Sequence, residues 1–167
     1  MKALVYTGVE ELVYREEKDP VETSGESILK VHASGICGSD MHAYHGKDER
    51  RIAPLIIGHE VSGVIQNGKF QGKNAVLNPL ITCGKCEYCT SGREHLCPHR
   101  VLLGMNRPYE RQGVFAELVS SPNQNIYEVP DHLNLNEAAI AEPTAVALHA
   151  VLICLLYTSP SPRDPWK

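Results

Sequence analysis

The chain has 167 residues, of which 43% are hydrophobic and 22% charged, and its formal net charge is −4. This composition fits one globular domain with a hydrophobic core and excludes a disordered or fibrous protein. There is no run of Lys or Arg and no apolar run of about 20 residues, so we expect neither a nucleic-acid partner nor a membrane-spanning segment. The N-terminus lacks the apolar core of a signal peptide, which predicts a cytoplasmic protein.

Short strands separated by turns dominate the chain up to Pro130. Residues 1–7 and 12–16 predict a hairpin, and residues 26–34 predict a half-buried strand in which apolar and polar side chains alternate. Many short strands with Gly and Pro between them are typical of a barrel-like β domain. Further strands are predicted at residues 61–66, 75–80, 113–120 and 125–129.

Helical patterns follow Pro130. Asn134 and Glu137 have the spacing of a capping box at the start of one helix, and Pro143 suits the first turn of a second helix. Two helices are therefore expected at the C-terminal end of the β domain.

The last residues abandon the helical pattern. The segment that begins at Cys154 is rich in proline, contains Trp166, and resembles the translated read-through of a sequencing adapter. We therefore expect residues 1–153 to be the natural part of the chain and residues 154–167 to be a non-native tail. A genuine disordered terminus is the alternative.

Four cysteines occupy one short segment in the pattern C-x₂-C-x₂-C-x₇-C. Four thiolates complete the tetrahedral shell of Zn²⁺ and leave no open position, so we expect a structural zinc site. Cysteines two residues apart are poor disulfide partners, and no secretion signal points to an oxidising compartment. An iron–sulfur cluster is the alternative. The four expected ligands are Cys83, Cys86, Cys89 and Cys97.

A catalytic metal site is predicted from other residues. Cys37 offers a thiolate and His59 an imidazole, a pair of ligands that suits Zn²⁺. A catalytic zinc needs three protein ligands and one open position. Glu142 is the first candidate for the third ligand, and Glu60 is its competitor.

Three more side chains near Cys37 have expected roles. The Ser39 hydroxyl and the His42 imidazole are expected to carry a proton away from the metal, passing from Ser39 toward His42. Asp40 is expected to hydrogen-bond a zinc ligand, with His59 as the first candidate, and so to orient its ring.

Four motifs together resemble the medium-chain zinc-dependent alcohol dehydrogenases. They are GICGSDMH at residues 35–42, GHE at residues 58–60, the four-cysteine segment, and AEP at residues 141–143. The resemblance implies a GroES-like catalytic domain, mainly β with C-terminal helices and a structural zinc lobe. It implies that Cys37 and His59 are ligands of the catalytic zinc and that Glu60 is an adjacent, transient ligand. Glu142 stands where the polyol, sorbitol and threonine dehydrogenase branch has a glutamate.

The resemblance also implies an activity. It is the transfer of a hydride between a secondary alcohol or polyol and NAD or NADP, with zinc as Lewis acid and a Ser-His relay for the proton. No G-x-G-x-x-G motif occurs, so we expect the nucleotide-binding Rossmann domain to be missing and this chain to be inactive. The whole protein is expected to be a homodimer or homotetramer. A non-catalytic, zinc-stabilised binding module is the alternative function.

Overall fold

The computed structural model describes residues 1–153, and the predicted non-native tail at residues 154–167 lies outside them. The described residues form ten strands: β1 (Lys2–Gly8), β2 (Glu11–Glu16), β3 (Glu26–Gly35), β4 (Leu55–Ile56), β5 (Glu60–Ile65), β6 (Asn74–Leu77), β7 (Leu80–Ile81), β8 (Val101–Leu102), β9 (Leu118–Pro122) and β10 (Ile126–Glu128). They also form four α-helices: α1 (Gly38–Tyr44), α2 (Glu87–Thr90), α3 (Leu135–Ala138) and α4 (Ala141–Ile153). No helix in this part of the chain has the length and apolar character needed to cross a membrane.

The strands pair antiparallel in three sheets. The largest sheet has the order β10-β6-β5-β3-β9, a second has the order β2-β1-β4, and β7 pairs with β8 alone. The mainly β fold expected from the sequence is therefore confirmed, and the two helices expected after Pro130 are present as α3 and α4. The side chain of Asn134 accepts a hydrogen bond from the backbone of Glu137, which confirms the predicted capping box.

Strand β3 lies inside the main sheet and leads directly into the predicted catalytic motif. Its side chains alternate as the sequence indicates, with Leu29 fully buried and Lys30 and His32 exposed. It pairs with β5 on one side and with β9 on the other. Because the pairing with β5 continues to Gly35, the last residue of β3 is held in a defined position.

Phe115 links the parts of the core. Its ring is partly buried and packs against three clusters of buried side chains, one inside the main sheet and two beside β1 and β4. The cluster inside the main sheet contains Leu29, Val61, Ile65, Ala75, Leu77, Leu103, Val114, Val119 and Ile126.

The strand predicted at residues 113–120 differs from the observed one. Regular pairing begins only at Leu118. Before it, the backbone N–H groups of Gly113 and Phe115 donate to Ile56 and Ile57, so this segment crosses the β4 region instead of extending the ladder. Helices α1 and α2 were also not predicted, because their short sequences show no helical period.

The close approach of β5 to β3 yields a prediction about stability. A Cβ atom at Gly63 would overlap the backbone carbonyl oxygen of Lys30, and a backbone atom cannot move aside cheaply. We expect Gly63→Ala to lower the free energy of unfolding by at least about 1–3 kcal/mol, measured as the midpoint of urea unfolding. Gly38→Ala is the matched control, since no atom lies within 4 Å of its Cβ position. Equal midpoints for the two variants would contradict this packing.

Candidate metal sites and active site

The pairing of β3 with β5 brings the first group of predicted residues together. Gly35 at the end of β3 is paired with Glu60 at the start of β5, so Cys37 and His59 also come close to each other. The glycine at position 35 leaves room for the carboxylate of Glu60, because a Cβ atom there would overlap its Oε2 and push the carboxylate aside. The possible ligand atoms of Cys37, His59 and Glu60 lie within 4.8 Å of one another, so these three residues can share one metal ion.

Close packing holds the backbone next to His59. Gly58 has a φ angle of 92°, a left-handed conformation that favours glycine. A Cβ atom there would lie 2.5 Å from the ring of Phe115, and one at Gly104 would lie 2.8 Å from the carbonyl oxygen of Gly58. His59 follows this tightly packed residue and is itself only 5% exposed. Its backbone therefore has little freedom to move.

Asp40 lies between Cys37 and His59. Its Oδ2 accepts a hydrogen bond of 3.0 Å from the backbone N–H of Cys37. Its Oδ1 lies 3.6 Å from Nδ1 of His59, which is longer than a hydrogen bond. The expected hydrogen bond is therefore replaced by a longer contact, and Oδ1 is shared with Arg51, whose Nη2 is 3.7 Å away.

The surroundings of His59 favour a positive charge on its ring. Burial lowers the pKa of His59, but the carboxylate of Asp40 and the thiol of Cys37 outweigh that effect and raise the pKa above its usual value. Nδ1 of His59 and Oδ1 of Asp40 are both buried, and neither has a hydrogen-bond partner within residues 1–153. The same negative groups that favour a proton on His59 would also favour a metal cation in place of that proton.

Glu142 lies near this group but outside it. It is in the first turn of α4, which packs against β5, and its carboxylate does not belong to the cluster of ligand atoms. Burial raises the pKa of Glu142; His59 opposes this shift and Glu60 adds to it. Glu60 thus lies close enough to Cys37 and His59 to share a metal ion with them. Glu142 lies farther out, but the charges of His59 and Glu60 still affect its pKa.

Ser39 and His42 lie on helix α1, which begins directly after Cys37. Ser39 is partly buried, whereas His42 is exposed. No hydrogen bond joins the Ser39 hydroxyl to the His42 ring in the described part of the chain. The expected proton relay between them stays a prediction.

Arg51 contacts the site, although no sequence pattern marks it as a site residue. Its side chain is fully buried and donates a hydrogen bond of 3.3 Å to the Ser39 hydroxyl. In the sequence it stands in the charged run KDERR, where nothing distinguishes it from the exposed Arg50. Only the folded chain reveals its role.

The four cysteines of the predicted structural site also come together. The sulfur of Cys83 lies 3.9 Å from that of Cys89 and 3.7 Å from that of Cys97, and the sulfurs of Cys86 and Cys89 are 3.5 Å apart. These separations are too long for a disulfide. Four sulfurs at about 2.3 Å from a tetrahedral zinc would be about 3.8 Å apart, so the arrangement matches the size of a zinc ion.

The loop that carries these cysteines also stabilises a thiolate. Backbone N–H groups of Lys85 and Cys86 lower the pKa of the Cys83 thiol to about 6. Cys89 and Cys97 are buried, and Cys86 caps the short helix α2. We name this four-cysteine segment, residues 83–97, the cysteine lobe.

Known proteins resemble this chain in sequence and in fold. The family model for the alcohol dehydrogenase GroES-like domain matches residues 23–131. The L-threonine 3-dehydrogenase of Anaeromyxobacter sp. (strain K) is 36% identical over 163 residues, covering 91% of this chain and 46% of that protein. The structure of galactitol-1-phosphate dehydrogenase from Escherichia coli has a TM-score of 0.84 and 27% identity, covering 92% of this chain and 45% of that one.

A further solved structure contains a nucleotide. It is described as a short chain alcohol dehydrogenase from E. coli CFT073 complexed with NADH, and it has a TM-score of 0.81 and 30% identity over 90% of this chain and 44% of that one. The chain thus spans about half the length of the curated relatives it matches. Sequence, fold and ligand cluster agree: this chain belongs to the zinc-dependent medium-chain alcohol dehydrogenase family and carries its GroES-like domain.

Proposed function

We propose that the chain supplies the zinc-binding, substrate-side part of a dehydrogenase that transfers a hydride between a polar secondary alcohol and NAD or NADP. The observation that carries this proposal is the cluster of Cys37, His59 and Glu60 within a GroES-like domain. The described residues contain no Rossmann unit that could hold the dinucleotide. This chain alone is therefore expected to be inactive.

The residues of the cluster suit a catalytic zinc. One thiolate, one imidazole and one carboxylate are all ligands that zinc accepts, and three protein ligands leave the open position that substrate needs. The buried carboxylate of Asp40, whose Oδ1 lies 3.6 Å from Nδ1 of His59, further supports a cation on this imidazole. A zinc ion bound there would act as a Lewis acid and lower the pKa of an alcohol hydroxyl.

The chain's own residues handle the proton in this proposal. Ser39, at the start of α1, accepts the hydroxyl proton of the substrate, and the exposed His42 on the same helix passes it to water. Asp40 keeps the His59 ring oriented through its buried carboxylate.

The third zinc ligand is proposed to be Glu60, with Glu142 as the alternative. Glu60 already lies within 4.8 Å of the other ligand atoms. The carboxylate of Glu142 is half-buried beside it and would have to move to reach the metal.

The substrate is proposed to be a polyol, a sugar alcohol or a hydroxy-amino acid. Two relatives are named for threonine and for galactitol 1-phosphate, and both molecules carry a hydroxyl group among other polar groups. A cytoplasmic location and a homodimeric or homotetrameric whole protein belong to the same proposal.

The cysteine lobe is proposed to hold a structural zinc. The sulfur–sulfur distances of 3.5–3.9 Å support one tetrahedral ion with no open position. Since such loops are ordered by their metal, the lobe is expected to lose its structure when zinc is removed.

Metal analysis tests both sites at once. We expect the purified chain to contain two zinc ions, because each ligand cluster binds one. Cys37→Ser and Cys97→Ser are a matched pair of variants, and each is expected to retain a single zinc from the site that it leaves intact. A single zinc in the unmutated chain would contradict the catalytic site.

The choice of third ligand is tested by comparing Glu60→Gln with Glu142→Gln. We expect Glu60→Gln to weaken zinc binding at the Cys37 site by at least about tenfold, because it removes a charged ligand, and Glu142→Gln to weaken it less. Zinc affinity is measured by competition with a chromophoric chelator. The opposite order would assign the ligand to Glu142.

Removal of zinc by a strong chelator is expected to unfold the lobe selectively. Hydrogen exchange should become fast at the amides of Thr90 and Ser91, whose hydrogen bonds to Cys86 and Glu87 form helix α2. The amides of Ile65 and Gln66, in and beside β5, serve as the internal control and should stay protected. Protection that persists throughout the lobe would show that metal does not order it.

A further inference from the structure

Arg51 is buried in an unusual manner for a charged residue. Its side chain is 0% exposed, whereas that of its neighbour Arg50 is 61% exposed. A buried guanidinium is tolerated only when its donors are paired, so the partners of Arg51 must be built into the fold. The carboxylate of Asp48 supplies the opposite charge, and its Oδ2 lies 2.5 Å from Nη1 of Arg51.

The other donors of Arg51 reach helix α1 and the segment around Gly104. Nη1 donates to the backbone carbonyl of Ser39 at 3.3 Å, and Nη2 donates to the Ser39 hydroxyl at 3.3 Å. Nη2 also lies 3.7 Å from Oδ1 of Asp40. Nε donates to the carbonyl oxygen of Gly104 at 2.9 Å. The planar guanidinium of Arg51 therefore connects helix α1 to the segment around Gly104.

Both segments touch the metal-ligand cluster. Asp40 accepts from the backbone N–H of Cys37 and faces Nδ1 of His59. Gly104 packs directly against Gly58, the residue before His59. A shift of the Arg51 guanidinium would therefore displace groups that contact both predicted zinc ligands, Cys37 and His59.

Arg51 also determines how Ser39 can act. A serine hydroxyl has one donor and two acceptor positions. Because Nη2 of Arg51 donates to the Ser39 oxygen, it occupies one acceptor position and cannot receive the hydroxyl hydrogen. The hydroxyl hydrogen and the second acceptor position then remain available for substrate and for the proton's exit.

We propose that Arg51 is a positioning residue of the Cys37–His59 site, holding the Asp40 carboxylate and the Ser39 hydroxyl in the orientation that metal and substrate require. The inference rests on the proposed function. Arg51 does not touch the metal ligands' donor atoms and acts through Asp40, Ser39 and Gly104.

The test measures zinc affinity separately at the two sites of the zinc-loaded 167-residue chain, by competition with a chromophoric chelator. Arg51→Met, which keeps the bulk and removes the donors, is expected to weaken binding at the Cys37 site by about 10–100-fold. Arg51→Lys keeps the positive charge but lacks the planar guanidinium, so we expect a smaller loss of zinc affinity at the Cys37 site. The affinity of the cysteine lobe should not change, which provides an internal control.

Arg50→Met is the matched control variant. Arg50 shares Asp48 with Arg51 but makes no hydrogen bond to Ser39, Asp40 or Gly104 within the described chain. Wild-type affinity at both sites is expected for this variant.

The outcomes separate the two proposals. If the wild-type chain binds zinc only in the cysteine lobe, the proposed function fails and the role of Arg51 fails with it. If the wild-type chain binds two zinc ions and Arg51→Met binds both as tightly, only the role of Arg51 is overturned. A third outcome is that Arg51→Met and Arg51→Lys both fail to fold, or that both lose zinc binding at the Cys37 site and at the cysteine lobe. Arg51 would then support the fold in general, and the positioning role would again be overturned.

Discussion

The pairing of Gly35 with Glu60 is the contact on which the candidate active site depends. It is the last rung of the β3–β5 ladder, and it brings two motifs that are 22 residues apart, at Cys37 and His59, into one cluster. Glycine at position 35 leaves the space in which the Glu60 carboxylate lies, and a side chain there would displace that carboxylate. The register of the β3–β5 pairing thus determines whether the candidate ligands meet. A shift of one residue in this register would turn the side chains of one strand to the opposite face of the sheet.

The rest of the domain fixes the two chain segments at this end of the ladder, one before β5 and one after β3. Phe115 and Gly104 pack against Gly58 and so restrain the backbone that enters β5. On the other side, Asp40 and Arg51 restrain the start of α1, where Ser39 lies. The cysteine lobe is different, since its ligands come from one short segment and its geometry is local. Two candidate metal sites of different origin therefore lie in one domain, one built by sheet pairing and the other by a loop.

Local features could be predicted from the sequence, and non-local ones could not. The alternation in β3, the capping box at Asn134 and the cysteine spacing each involve residues close in the chain, and the structure contains all three. The crossing of Gly113 over the β4 region depends on distant partners and was missed. The burial of Arg51 depends on Asp48, Ser39 and Gly104 together. Because Ser39 and Gly104 are distant in the chain, the sequence around Arg51 looks like that of any exposed charged segment. The sequence alone left the choice between Glu60 and Glu142 open, because the β3–β5 pairing that brings Glu60 close to Cys37 is non-local.

A crystal structure of the zinc-loaded chain with anomalous data at the zinc edge tests the central claim most directly. The account predicts two anomalous peaks in each chain. One should lie among the sulfurs of Cys83, Cys86, Cys89 and Cys97, and the other should lie in contact with Cys37 and His59. A single peak in the cysteine lobe, with Cys37 and His59 free of metal, would contradict the account.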